Sequence, residues 1–400
     1  MLLLTNEDVV KTLTMEECMA AVEESLRRLA RSKLVRWDGG TSIDLTETEG
    51  FDRFYSLRFL PVLDLVEATA VCRLNSWVSV TVEESGTLRQ LVAPLSGRPH
   101  SGGQKSGYPT GAEKTGWLLL FSMETGQLLA IIQDRDIQVM RVGSGGGINA
   151  KYLARANAQS VGLIGAGWMA RALLVSYCVA RNIRTVNVFS PNPKSRDNFS
   201  EDMKSQLGIK VTSVSSPEEA VRGADIVVSA TNATEPTFDP DWVEQGAHVH
   251  CITGAEYDER LLKKADVISW IFPQSSHYDN TQSAASSITP VGDDPQAAKL
   301  AARKRGEFSG YRIAGTKLLE KYADKRVFLT DLVEGRAVGR RDEKQITLSP
   351  SPAGGSTLQM HFAALVPKVF REAKLRRIGH ELPDEWFHQQ TDIYPAYRLK

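Results

Sequence analysis

Apolar positions along the chain recur with two different periods, and the change between them separates its parts. From Thr14 to Ala30, Met19, Val22, Leu26 and Leu29 return at helical spacing, and Thr14 with Glu17 forms a capping box; the segment predicts an amphipathic helix. Between residues 54 and 82 the rhythm turns alternating and β-branched, as in AVCRLNSWVSVTV, which predicts strands. Pro94 to Gly116 holds SGRPHSGGQKSGYPTG, whose Gly, Ser and Pro content predicts a long loop, either a hairpin tip or a lid over a site. GWLLLFSMETGQLLAIIQD then reads as a hairpin, two apolar runs joined at Glu124, Thr125 and Gly126. A helix from Arg141 to Ala154 follows, although RVGSGGGINA is a poor helix former and each Gly costs ~1 kcal/mol relative to Ala. Either that segment is a loop, or it packs so closely on a ligand or a second backbone that side chains are excluded.

Residues 160 to 270 alternate regularly: SVGLI, a helix to Ala180, TVNVF, a helix to about Leu207, KVTSV, a short helix, then DIVVSA, HVHCIT and ADVISW. Ser216, Pro217 and Glu219 mark the start of the short helix. Short apolar strands alternating with helices predict a doubly wound parallel sheet. After the turn-rich SPSPAGGS, a helix from about Thr357 to Leu375 rejoins the first part. The fold class is therefore α/β, with the parallel-sheet unit, 145–345, inserted in a second α+β domain made from 1–144 and 346–400.

Composition bounds what such a molecule does. Four hundred residues exceed one core at the usual ~100–200 residues per domain. Lys plus Arg and Asp plus Glu are both 48, so the net charge is zero and no cationic field is available for nucleic acid or a membrane surface. With 42% apolar and 24% charged residues the chain has the composition of a globular protein. Cys18, Cys72, Cys178 and Cys251 are widely spaced without a CxxC pair, which predicts no zinc site, no disulfide scaffold and a reducing, cytoplasmic home. MLLLTNEDVV lacks the basic and apolar regions of a signal peptide, and no stretch reaches the ~18 apolar residues of a spanning helix.

Chemistry enters with Gly165-Ala166-Gly167-Trp168-Met169-Ala170, which follows SVGLI and opens a helix, the strand–turn–helix context of the dinucleotide fingerprint. The first glycine permits the tight turn, the second the approach of a pyrophosphate, and Ala170 the close packing of helix on strand. The exit of the next strand is Ser190-Pro191-Asn192-Pro193-Lys194-Ser195-Arg196, with no carboxylate before Asp197 to receive ribose hydroxyls. Ser190, Asn192, Lys194 and Arg196 offer a 2′-phosphate hydroxyl, amide and cationic donors, so NADP(H) is expected over NAD(H).

At this point the chain resembles the ornithine cyclodeaminase and μ-crystallin family. The resemblance lies in MLLLTNEDV, ETGQLLAIIQDRDIQVMRVG, VGLIGAGWMA, ADIVVSATNATEPTF, GAHVHCITG and LTDLVEGRAVGR with the helix after it. It implies a Rossmann domain inserted in a substrate and dimerisation domain, a site in the cleft between them, a homodimer, and hydride transfer between nicotinamide and an α-amino or α-imino acid. The implied reaction is that of an imine or ketimine reductase or amino-acid dehydrogenase on a carboxylate-bearing substrate. The alternatives are a catalytically silent NADP(H)-binding protein of the μ-crystallin kind and, third, a cyclodeaminase.

Carried over by residue, the resemblance places a carboxylate-binding arginine at Arg36 and another at Arg141, and adds Thr231, Asn232 and Thr253 to the cofactor set. Three positions depart from the family pattern. A strand lysine that polarises the substrate is Arg73, a strand Glu is Arg58, and the aspartate thought to act on the amino group in cyclodeaminases is Ala255. Arg73 and Arg141 remain the catalytic candidates, and strand alternation sets Arg73 on one face with Asn75 and Trp77. If Arg36, Arg58, Arg73 and Arg141 all line the cleft beside Trp77, four cations favour a substrate with more than one acidic group. Glu256, followed by Tyr257 and Asp258, leads as proton donor; His250 reads as a core histidine, and His361 and Gln359 as residues near the nicotinamide. Residues 271–312 read as a longer connection extending the dimer surface or covering the cleft, their AARKR cluster as a solvated helix face.

Overall fold

The computed structural model describes residues 1–36, 41–46, 53–84, 87–92, 115–231, 233, 235–271, 319–350 and 359–388. The expectations placed on 94–114, Asn232 and 272–312 lie outside these residues, as do those on the side chains of Arg36, Trp77 and Ala255.

The alternating runs build a nine-stranded sheet whose continuous path is β1 (Leu2–Leu4), β8 (Leu128–Gln133), β7 (Thr115–Ser122), β5 (Thr69–Glu84), β4 (Arg53–Asp64) and β2 (Leu34–Arg36). β3 (Thr41–Thr46) adds to β4, β6 (Thr87–Val92) to β5, and His380–Glu381 to the outer edge of β1. All neighbours are antiparallel except β1 with β8. The hairpin β7–β8 turns where expected, with Gly126 in the left-handed region at φ 73°. Thr115 and Gly116, read as the end of the long loop, already belong to β7.

One face of this sheet carries Leu60, Val62, Val71, Leu118, Leu120, Ala130 and Ile132, all buried against α2 (Met15–Ala30) and the helix Gln359–Arg376. Each fully buried Leu or Ile contributes about 1.5–3 kcal/mol. The short α1 (Asn6–Val10) and α2 both start with capping boxes, at Thr5 and Thr14, that satisfy the first free amides.

The second sheet has eight parallel strands in the order β11 (Lys210–Ser213), β10 (Thr185–Phe189), β9 (Ser160–Ile164), β12 (Ile226–Ser229), β13 (His248–Cys251), β16 (Thr347–Ser349), β14 (Val267–Trp270) and β15 (Arg326–Phe328). Its helices include α4 (Trp168–Ala180), α5 (Pro193–Leu207), α6 (Pro217–Val221) and α7 (Glu259–Lys264). The order reverses beside β9, which makes the carboxyl ends of β9 and β12 the ligand-binding switch point of a doubly wound sheet. The expected boundary at 345 is corrected here, because β16 pairs with β13 and β14 and so belongs to this sheet.

The boundary at 145 is corrected for a related reason. α3 runs from Arg135 to Leu153, starts six residues before the predicted helix, and has no break at residue 145. Its glycines are packed against a backbone: a Cβ on Gly143 would lie 2.7 Å from the Ala172 carbonyl oxygen, and one on Gly147 2.8 Å from the Ser176 Cβ. Only a helix stripped of side chains on that face comes so near α4. Of the two sequence alternatives, close packing on a second backbone holds.

Candidate active site

Gly143 sits against Ala172 and Gly147 against Ser176, so α3 and α4 run parallel and in step. The helix that carries Arg141 and the helix that follows the glycine loop are thereby packed together.

At the loop, Gly165 has φ 104°, and a Cβ there would lie 2.2 Å from the Ala230 carbonyl oxygen. Gly167 caps α4 with no side-chain hydrogen bond to the first-turn amides, and a Cβ on it would meet nothing within 4 Å. Open space in front of a helix start without a side-chain cap fits the pyrophosphate of a dinucleotide. Ala166, Trp168 and Met169 are partly exposed around that opening, and Ala170 is fully buried against the sheet.

Past β10, Ser190 is buried, and its carbonyl accepts a 3.0 Å hydrogen bond from Arg196. The same guanidinium lies 5.9 Å from the Phe189 ring, and its buried Nε has no hydrogen-bond partner among the described residues. Asn192 caps α5 by accepting from the Ser195 amide, and Lys194 is exposed. Asp197, the first carboxylate, is turned away to accept from the Ser213 hydroxyl at 2.5 Å.

In the first sheet the register sets Arg58, Asn75 and Gly116 in one row, with Leu60, Arg73 and Leu118 in the next. Arg58 is half-buried in that row. Gly116 leaves room for Asp134, which follows β8: a Cβ there would lie 2.2 Å from Asp134 Oδ1 and 2.5 Å from Asn75 Nδ2. Asp134 Oδ2 accepts from Arg73 Nε and Nη2, at 2.8 and 2.6 Å, and from Asn75 Nδ2 at 2.7 Å. Asp134 was not legible as a site residue. It occupies the N-cap position of α3, where an Asp reads as a cap, yet it makes no side-chain capping bond.

Arg141 stands beside this pair. It is 4% exposed and its Nε donates to Gln138 at 3.1 Å. Burial, and then the positive charge of Arg73, push its pKa down to about 9, against the opposing pull of Asp134. Such a guanidinium is short of negative charge. Phe362, fully buried on the helix Gln359–Arg376, has the Arg73 and Arg141 guanidinium carbons 5.2 and 5.4 Å from its ring centroid. Neither period nor spacing marked Phe362, since a buried aromatic on an apolar helix face reads as core. Next to it, His361 is pushed down to about 3, by burial first and Arg141 second, so it is neutral at any working pH. Gln359 is fully buried on the same helix.

Three expectations are corrected. Glu256 is no proton donor facing a cleft: it is fully buried, Oε1 accepts from the Thr231 amide and hydroxyl at 2.6 and 2.8 Å, and Oε2 accepts from the Thr253 amide at 2.8 Å. It fastens together the loops that leave β12 and β13. Asp258 is likewise occupied, capping α7 through the Arg260 and Leu261 amides. Finally, Arg73 is not an uncompensated cation, because Asp134 neutralises it. His250 is buried as a core histidine, with its ring edge-on to Tyr177 at 6.4 Å, but its Nδ1 has no partner among the described residues.

The profile of the ornithine cyclodeaminase/mu-crystallin family matches residues 98–358. The chain is 30% identical to an alanine dehydrogenase of Archaeoglobus fulgidus over 394 residues, 95% of this chain and 98% of that protein. It is 31% identical to a Delta(1)-pyrroline-2-carboxylate reductase of Bacillus cereus over 137 residues, 34% of this chain and 42% of that one. Among solved structures, an archaeal alanine dehydrogenase dimer with bound NAD superposes with a TM-score of 0.67 at 24% identity, over 96% of this chain and 98% of that one. The chain belongs to the ornithine cyclodeaminase/mu-crystallin family.

Proposed function

We propose that the protein is an NAD(P)(H)-dependent oxidoreductase acting on the C–N bond of an amino or imino acid, with the substrate carboxylate on Arg141. The observation that carries this reading is the setting of Arg141: a buried guanidinium, short of negative charge, beside Arg73 and the Phe362 ring. A carboxylate there gains two charge-assisted hydrogen bonds in a desolvated setting. The relatives named alanine dehydrogenase and pyrroline-2-carboxylate reductase support the same chemistry.

The residues of the chain divide the work. Arg141 binds and orients the carboxylate, the Phe362 ring backs both guanidiniums and keeps water out, and neutral His361 offers ring nitrogens without adding charge. The nicotinamide, when bound, supplies or accepts the hydride, and holding the α-carbon against it converts binding into rate. Asp134 matches the charge of Arg73, one of the four cations on which the multiply acidic substrate rested.

NADP(H) is the proposed cofactor. What supports it is the orphaned Arg196 Nε near Ser190, the exposed Lys194 and the diversion of Asp197 to Ser213. A homodimer is proposed from the outer face of the first sheet, where half-buried Pro61, Leu74, Trp117, Leu119, Phe121 and Ile131 form an apolar surface that a second copy would cover.

The test is cofactor oxidation followed at 340 nm with 2-oxo acids plus ammonium or methylamine and with cyclic imino acids, using NADPH and NADH in turn. Turnover with at least one, and a lower KM for NADPH, are expected. Tight NADPH binding without any turnover contradicts the reading and favours a silent binder.

A further inference from the structure

Resting on that reading of the site, the geometry points to Asp134 as a positioning residue that restricts the pocket to substrates with a single carboxylate. Its carboxylate takes both inner nitrogens of the Arg73 fork and the Asn75 amide on one oxygen. That leaves Arg73, one of the two guanidiniums facing Phe362, with its charge matched inside the protein. Arg141, at nearly the same distance from the ring, has a neutral partner in Gln138 instead. Two cations of equal reach thus have opposite roles, and the difference between them is Asp134.

The post is built for that purpose in the fold. Gly116 has no side chain in the row where one would collide with Asp134, and the Asp134 amide donates to the Gly116 carbonyl at 3.2 Å. The carboxylate is 7% exposed and does not cap the helix it precedes. A second acidic group on a ligand held by Arg141 would approach a pair already neutral, and close to the Asp134 charge, so it gains nothing and loses its own hydration. A monocarboxylate has no such conflict.

The experiment measures binding, so it does not depend on knowing the natural substrate. Propionate and succinate are titrated by calorimetry into the full-length protein saturated with NADP⁺, as wild type and as Asp134→Asn. The wild type is expected to bind propionate more tightly than succinate. In Asp134→Asn, whose amide keeps the shape but frees the Arg73 charge, succinate affinity is expected to rise about tenfold with propionate little changed. The double variant Arg73→Gln with Asp134→Asn removes both charges together and is expected to return the wild-type preference, which covers the case in which the single variant does not fold. Succinate binding that is equal in wild type and Asp134→Asn, or a double variant that binds succinate as tightly as Asp134→Asn does, overturns the role of Asp134 alone. A wild type that binds neither acid overturns the carboxylate site itself.

Discussion

Arg141 is the residue on which the chemistry turns. With its neighbours fixed, Arg141→Met removes the positive charge while keeping the length of the side chain. It should lower kcat/KM for the amino or imino acid by about 10²–10³-fold, as truncating one side of a desolvated charge pair does, with the dissociation constant for NADPH nearly unchanged. Steady-state kinetics beside a fluorescence titration of NADPH check both halves; full activity in the variant removes Arg141 from the site. Glu256 belongs to a different category. Burial pushes its carboxyl up to about 7, against the bonds from Thr253 and Thr231. A carboxyl raised in the folded state contributes stability that is present below its ordinary value near 4.5 and lost as pH rises towards 7. Chemical unfolding should therefore show wild type losing stability across that window. Glu256→Gln should flatten the loss while costing about 1–3 kcal/mol, because its amide opposes one of the backbone donors.

These two residues also mark how far the sequence could be read. Arg141 was singled out from a resemblance in the run QVMRVGSG, and it lies buried beside Gln138 and the Phe362 ring. Glu256 was misread, since a carboxylate just past a strand at the ligand end of a sheet looks the same in sequence whether it points at the ligand or back at the loops. Asp134 carried no signal at all. Its partners Arg73, Asn75 and Gly116 lie on other strands, and only the register of β5 with β7 brings them together. Side-chain periods predict faces, not which rows meet.

At the level of elements, the regular helices and strands were legible because local chemistry decides them: Thr14 and Glu17 at the start of α2, Ser216, Pro217 and Glu219 at α6, Gly126 in the β7–β8 turn. The start of α3 was not: the helix begins at Arg135, six residues before the expected Arg141, while its last residue Leu153 lies next to the expected Ala154. The glycines of α3 separate into two kinds. Gly143→Ala drives a methyl into the Ala172 carbonyl and should destabilise by about 1–3 kcal/mol. Gly145→Ala meets the His361 ring at an ordinary 3.6 Å and should gain up to about 1 kcal/mol from helix propensity. Equilibrium unfolding of both variants distinguishes them, and equal effects would mean that α3 does not rest on α4 through its backbone. The same elements explain the shifted boundaries. β16 returns late in the chain to lie between β13 and β14, a long-range insertion that no local pattern announces.

On the scale of the whole molecule, a net charge of zero coexists with two arginines gathered beside one buried phenylalanine. The neutral total says nothing about local need for an anion, which is set by burial and by which cations already have partners. The outer sheet face makes a second statement about the assembly. Leu119→Glu, placed at the middle of that apolar surface, should turn a dimer into a monomer in sedimentation velocity; a wild type that sediments as a monomer contradicts the proposed assembly.

The central claim is that hydride passes between nicotinamide and the α-carbon of an acid held by Arg141. It is tested most directly by incubating the protein with NADPH deuterated at C4, ammonium and a 2-oxo acid, and reading the amino acid product by mass spectrometry. The account predicts deuterium at the α-carbon with wild type and its loss with Arg141→Met. Product without deuterium at that carbon, or no product from any acid that binds, would contradict it.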